Sequence, residues 1–186
     1  MKTIEQKEKL YNELIGIRQQ CSVELNKIGL KNYNQLSLEG YEDNYVDGWE
    51  QWHNNLDAKY MLVGQDFANW ETLQKDKGKI ENEEKWQKQV DKKIPATPTN
   101  RRLVDLFKEI KIDIGHPLKP NKNASLFFTN AVIGLKSKSM QAKIEKKWIK
   151  KSREEFLEKL IKIIQPKIII TLGRDSFDSV CLVFNQ

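Results

Sequence analysis

Three short apolar runs, each broken off by polar residues, constrain this chain more than any other feature. Met61-Leu62-Val63 runs into Gly64-Gln65-Asp66, Leu126-Phe127-Phe128 into Thr129-Asn130, and Ile168-Ile169-Ile170-Thr171-Leu172 into Gly173-Arg174-Asp175. Each run is nearly continuous and too short for a helix, as in a strand buried on both faces. Helix-periodic segments lie between the runs. Strands that alternate with helices in this way predict an α/β fold with a parallel sheet covered on both sides. Ligands of such sheets gather beyond the carboxyl ends of the strands, where these polar residues fall.

The periodicity places the remaining elements. Leu10, Leu14, Ile17, Cys21, Leu25 and Ile28 recur at spacings of three and four, so residues 3–28 read as an amphipathic helix that Gly29 stops. The first strand is expected over residues 59–63, after an irregular stretch held to the core by Trp49 and Trp52. Residues 71–96 form a polar excursion, with Ile80, Trp86 and Val90 hinting at a peripheral helix. A helix then starts near Thr97, capped by Thr99 or Asn100, with Leu103, Leu106, Phe107 and Ile110 inward. Gly115-His116-Pro117 and Pro120-Asn121 mark turns, and residues 134–140 a loop. Ser152, with Glu155 three residues on, reads as the capping box of the next helix, which Pro166 ends. A single domain is expected over residues 1–186, with an N-terminal helical extension over about residues 1–30.

Composition narrows the partners. The chain has 186 residues, 31% of them charged, and a mean hydropathy of −0.67. No apolar run approaches the ~20 residues that span a bilayer, so no membrane partner is expected. The two cysteines, Cys21 and Cys181, are far apart and share no motif, which fits a reducing cytoplasm. They are too few for a four-cysteine cluster, and with only His53 and His116 besides, neither metal nor cofactor is expected. The net charge is +6 and the pI about 9.1, which favours an anionic partner. From Lys136 to Arg153 there are eight basic residues against one acidic residue, Glu145. That stretch reads either as a solvated helix face or as a phosphate-facing ridge.

The polar strand ends carry the candidate chemistry. Gly64 permits a tight turn and close ligand approach, and the amides after it can meet a developing anion. Asp66 can orient a water or stabilise a cationic sugar-like centre. The competing reading is a helix N-cap. The Asn130 amide donates and accepts at once, which suits the edge of a nucleobase, although a buried asparagine bonded to a neighbouring loop has the same signature. Gly173-Arg174-Asp175 reads as a phosphate site at a helix N-terminus or as a plain strand-to-helix turn.

Taken together, these motifs resemble the uracil-DNA glycosylase superfamily. Leu62-Val63-Gly64-Gln65-Asp66 looks like its GQD-terminated first strand. Phe127-Phe128-Thr129-Asn130-Ala131-Val132 is similar to its central strand, which ends in asparagine. Gln165 to Arg174 looks like its PK-(apolar)-LG strand-to-helix segment, and Thr97-Pro98-Thr99-Asn100-Arg101 resembles a further segment. The resemblance covers about residues 49–182. It implies a three-layer α/β/α sandwich with a short central parallel sheet and a pocket for a base flipped out of DNA. Asp66 would then position water. The backbone amides of Gln65 and Asp66 would meet the uracil carbonyl, and Asn130 would read the pyrimidine edge and reject cytosine. Phe67 or Trp70 would stack on the base.

The chain also departs from the family. Phe67 stands where proline is expected. The later strand ending in His-Pro is missing before Gln186, and His116-Pro117 lies on the wrong side of the central strand. Either the sheet lacks its last strand by truncation, or the pocket works without that histidine, or the site does not catalyse.

Three functions are compatible with this reading. The first is a monomeric cytoplasmic glycosylase that hydrolyses the N-glycosidic bond of uracil, or a related damaged base, in uracil-containing or single-stranded DNA during base-excision repair. Lys136, Lys138, Lys143 and Arg174 would meet the DNA backbone. The second is a DNA- or protein-binding module of the same fold without hydrolysis. The third is a nucleotide-processing α/β enzyme that uses the same strand ends.

Overall fold

The computed structural model describes residues 2–20, 27–31, 55–66, 69, 71, 98–116, 119–121, 123–137 and 143–185. Among them are strands β1 (Leu30–Lys31), β2 (Tyr60–Gly64), β3 (Gly115–His116), β4 (Lys119–Pro120), β5 (Leu126–Asn130), β6 (Leu135–Lys136) and β7 (Ile168–Thr171). The helices are α1 (Ile4–Gln20), α2 (Pro98–Glu109), α3 (Lys146–Ser152), α4 (Glu158–Ile164) and α5 (Arg174–Phe184). A π-turn, Arg153–Leu157, joins α3 to α4.

The three apolar runs form one sheet of order β5-β2-β7, parallel throughout, and the α/β class expected from the alternation is present. Met61 lies opposite Phe127 and Ile169, and Leu62 opposite Phe128 and Ile170. Successive strand residues point to opposite faces, so the sheet feeds two cores. Met61, Val63 and Phe127 pack with Tyr11 and Leu14 of α1, Trp148 of α3, and Phe156, Leu160 and Ile164. Leu62, Leu126 and Phe128 pack with Leu103 and Phe107 of α2 and with Ile114. Each such buried side chain contributes about 1.5–3 kcal/mol relative to exposure, which accounts for the tolerance of so charged a surface. Among the described residues no helix is long and apolar enough to cross a membrane.

Several elements differ from expectation. α2 starts at Pro98, a residue suited to the first helical position, so Thr99 and Asn100 lie inside the helix and do not cap it. Its inward ridge is Leu103 and Phe107, four residues apart, whereas Leu106 and Ile110 are exposed. Ile110 follows the last helical residue, so the helical period no longer governs it. The turns at residues 115–120 are the hairpin β3–β4. Part of the loop at residues 134–140 is a strand, since β6 pairs antiparallel with β1.

Ser152 does not cap a helix either. It is helical, with φ −64° and ψ −38°, because α3 continues through the π-turn into α4. Its buried hydroxyl instead accepts a hydrogen bond from the Ile133 amide at 3.1 Å. Glu155, the expected capping partner, pairs with Lys151 at 3.1 Å. The extra residue of the π-turn rotates the following side chains, and Phe156 and Leu157 are both buried. α4 ends at Ile164, one residue before Gln165 turns left-handed (φ 55°) and two before Pro166. The peripheral helix expected at residues 80–90, the expected packing of Trp49 and Trp52, and Cys21 and Leu25 lie outside the described residues.

Candidate active site at the carboxyl ends of the strands

β2 is first of the three parallel strands in the chain and central in the sheet, with β5 and β7 on its two sides. The connection from β2 to β5 packs α2 on one face of the sheet, and the connection from β5 to β7 packs α3 and α4 on the other. That makes the carboxyl end of β2 a topological switch point, where the crevice of an α/β sheet opens. Gly64-Gln65-Asp66 stands there.

Backbone bonds hold the two strand ends together past the ladder. The Ala131 amide donates to the Gly64 carbonyl at 2.8 Å, and the Val132 amide to the Gln65 carbonyl at 3.1 Å. On the other side, the Leu172 amide donates to the Val63 carbonyl at 2.9 Å. Gly64 and Asn130 are register partners, and the Asn130 side-chain carbonyl lies against the Gly64 α-carbon, where a Cβ would collide with it. A side chain at position 64 would therefore have to displace Asn130. Gly173 has φ 98°, and a Cβ there would come 3.3 Å from Gln65 Oε1, so the exposed Gln65 side chain reaches toward the end of β7.

The site buries polar atoms without giving them protein partners. Asn130 Nδ2, Thr129 Oγ1 and Asn69 Oδ1 are all buried, and none has a hydrogen-bond partner. A buried unsatisfied polar atom costs about 1–3 kcal/mol. Thr129 and Asn130 are successive residues of β5 and face opposite sides of the sheet. On the Asn130 side the unpartnered amide lies against Gly64, where a ligand or ordered water would complete its bonding.

Asp66 is mostly buried, and its Oδ2 lies 2.6 Å from Lys136 Nζ. Burial pushes its carboxyl above the ordinary carboxylate range. The Lys136 ammonium pulls in the opposite direction, and the charge of Asp175 adds to the upward push. A carboxyl with a raised pKa in a crevice is a common property of acid–base sites.

The expected residues are distributed unevenly. Gln65 and Asp66 directly follow β2, whose last residue, Gly64, is the register partner of Asn130 at the end of β5. Phe67, Trp70 and Lys138 lie outside the described residues. Lys143 is exposed, as is Arg174, whose side chain is 91% accessible and 3.6 Å from Asp178. Lys136 was expected on a DNA-facing surface but is buried in β6 with its ammonium on Asp66. Charge alone does not place it beside Asp66. The signal that could have found it is the apolar run Ala131-Val132-Ile133 followed by Gly134-Leu135, all buried, which carries Lys136 inward. Among the described residues no group of histidine, cysteine, aspartate and glutamate is arranged to hold a metal ion.

No protein-family model, no curated protein and no solved structure matches this chain.

Proposed function

We propose that this protein is a uracil-DNA glycosylase-like hydrolase that cleaves the N-glycosidic bond of uracil, or a related damaged base, in DNA. The observation that carries the proposal is the pairing of the ends of β2 and β5, which sets the Asn130 side chain against Gly64, two residues before the mostly buried Asp66. Asp66 orients the attacking water and offsets the positive charge that develops on the sugar as the bond to the base breaks. The Asn130 amide donates to one uracil carbonyl and accepts from the ring imide. Cytosine presents the opposite pattern at that edge and leaves a buried amide unpaired. The exposed bases Lys143 and Arg174 supply salt-sensitive attraction to the backbone.

The test is a single-stranded oligonucleotide carrying one uracil, beside the same strand carrying cytosine. Free uracil is released from the first, and no cytosine from the second. No uracil release at any pH between 5 and 9 contradicts the proposal.

One observation favours a second reading, a DNA-binding module of the same fold without hydrolysis. A carboxylate already gripped by an ammonium is a weaker acceptor for a water proton. Salt-dependent DNA binding without base release supports that reading.

A further inference from the structure

We infer that Lys136 is a positioning residue of this site: its ammonium grips Asp66 through Oδ2 and so dedicates Oδ1 to the reacting water. The inference rests on the glycosidic reading for the identity of that water, but its geometry stands by itself.

Lys136 is an anchored cation. Its backbone pairs with Leu30 in the β1–β6 ladder and bridges to Asn69 on its other side. Asn69 lies three residues after Asp66, so β6 holds this loop at two points, the bridge at Asn69 and the ion pair at Asp66. The lysine side chain is almost wholly buried, and Asp66 Oδ2 has no solvent access. Any water or ligand must therefore meet the carboxylate at its other oxygen. A surface lysine would leave both oxygens to compete for the water. An anchored lysine fixes which oxygen is left for a water or ligand, and such orientation is a recognised source of rate.

The charged groups facing Asp66 from the described elements are Lys136 on β6 and Asp175 in the first turn of α5. Burial and Asp175 both favour the protonated acid, which cannot take a proton from water. Lys136 is the group that opposes them. Its role is thus to keep Asp66 ionised as well as to aim it.

The test follows the Asp66 carboxyl directly, by carbon-13 NMR titration of the full chain in wild type, Lys136→Gln and Lys136→Arg. Loss of the ammonium raises the Asp66 midpoint by about one pH unit or more, and arginine restores most of the difference. In the uracil-release assay the acidic limb of the pH–rate profile moves up with it. An Asp66 midpoint that is the same in folded Lys136→Gln as in wild type overturns the inference.

A second measurement needs no variant. The nitrogen-15 resonance of Lys136 Nζ in wild type shifts with the Asp66 midpoint, and a resonance that ignores that midpoint overturns the inference equally. Both titrations read out without activity. A wild type that releases no uracil therefore removes the glycosidic reading while the role of Lys136 is still decided.

Discussion

Two lysine–aspartate pairs in this chain have equally buried cations and opposite consequences. Lys7 and Lys136 each expose 4% of their side chains, and each sits within 3 Å of its carboxylate, at 2.9 Å and 2.6 Å. The carboxylates differ: Asp57 exposes 79% of its side chain and Asp66 16%. In water the Lys7 ammonium holds Asp57 below the ordinary carboxylate range. In the crevice burial outweighs Lys136 and holds Asp66 above it. Lys7 also donates to the Ile164 carbonyl at 2.9 Å, which ties α1 to the end of α4. One pair ties α1 to α4 at the surface, and the other encloses its carboxylate beside the end of β2. What separates them is the solvation of the acid, since the bases are alike.

Substitutions at the two lysines sharpen this contrast. The largest stability effect is expected for Lys136→Met, which leaves a mostly buried carboxylate without its counter-charge and costs about 3 kcal/mol near neutral pH. Its pH dependence has a definite sign. Folded Asp66 holds its proton more tightly than the unfolded chain does. Its contribution is therefore fully present below the unfolded pKa and is lost as pH rises through the raised folded value. The Lys136→Met deficit is accordingly smaller at an acidic pH than at a neutral one, because protonation of Asp66 removes the unpaired charge. Urea unfolding at the two pH values checks this, and a deficit that grows toward acid breaks the contrast.

Gly64→Ala comes next. Its Cβ forces the Asn130 side chain to move, at about 1–3 kcal/mol, and uracil release falls with it. Lys7→Met orphans the Ile164 carbonyl at a similar or smaller cost, about 1–2 kcal/mol, read as a lower melting temperature with uracil release retained. The smallest effect belongs to Arg174→Ala. It changes stability by less than about 0.5 kcal/mol, and is seen only as a shallower fall of DNA affinity with salt.

The sheet was legible because β2, β5 and β7 are continuous apolar runs, and a run buried on both faces has few other ways to fold. Asp66 and Asn130 were legible because they end two of those runs. The pattern did not separate the strand ends from one another: Asn130 is buried against Gly64, whereas Arg174, after the third run, stands in solvent. That difference depends on which strands are neighbours and how the loops beyond them fold back, and it has no local signature. Lys136 and Ser152 failed for a related reason. Each was assigned a local role, a surface charge and a helix cap, and each is used by a residue distant in sequence, Asp66 and Ile133. Side-chain chemistry indicates what a residue can bond, and packing decides to what.

One comparison tests most directly whether Asp66 is the reacting carboxylate of a base site. Uracil release from a uracil-containing oligonucleotide is measured for wild type, Asp66→Asn and Asp57→Asn under the same conditions. The expected result is a loss of at least about 10²-fold for Asp66→Asn, with Asp57→Asn within about twofold of wild type. Equal release by wild type and Asp66→Asn, or an equal loss in both variants, contradicts the account.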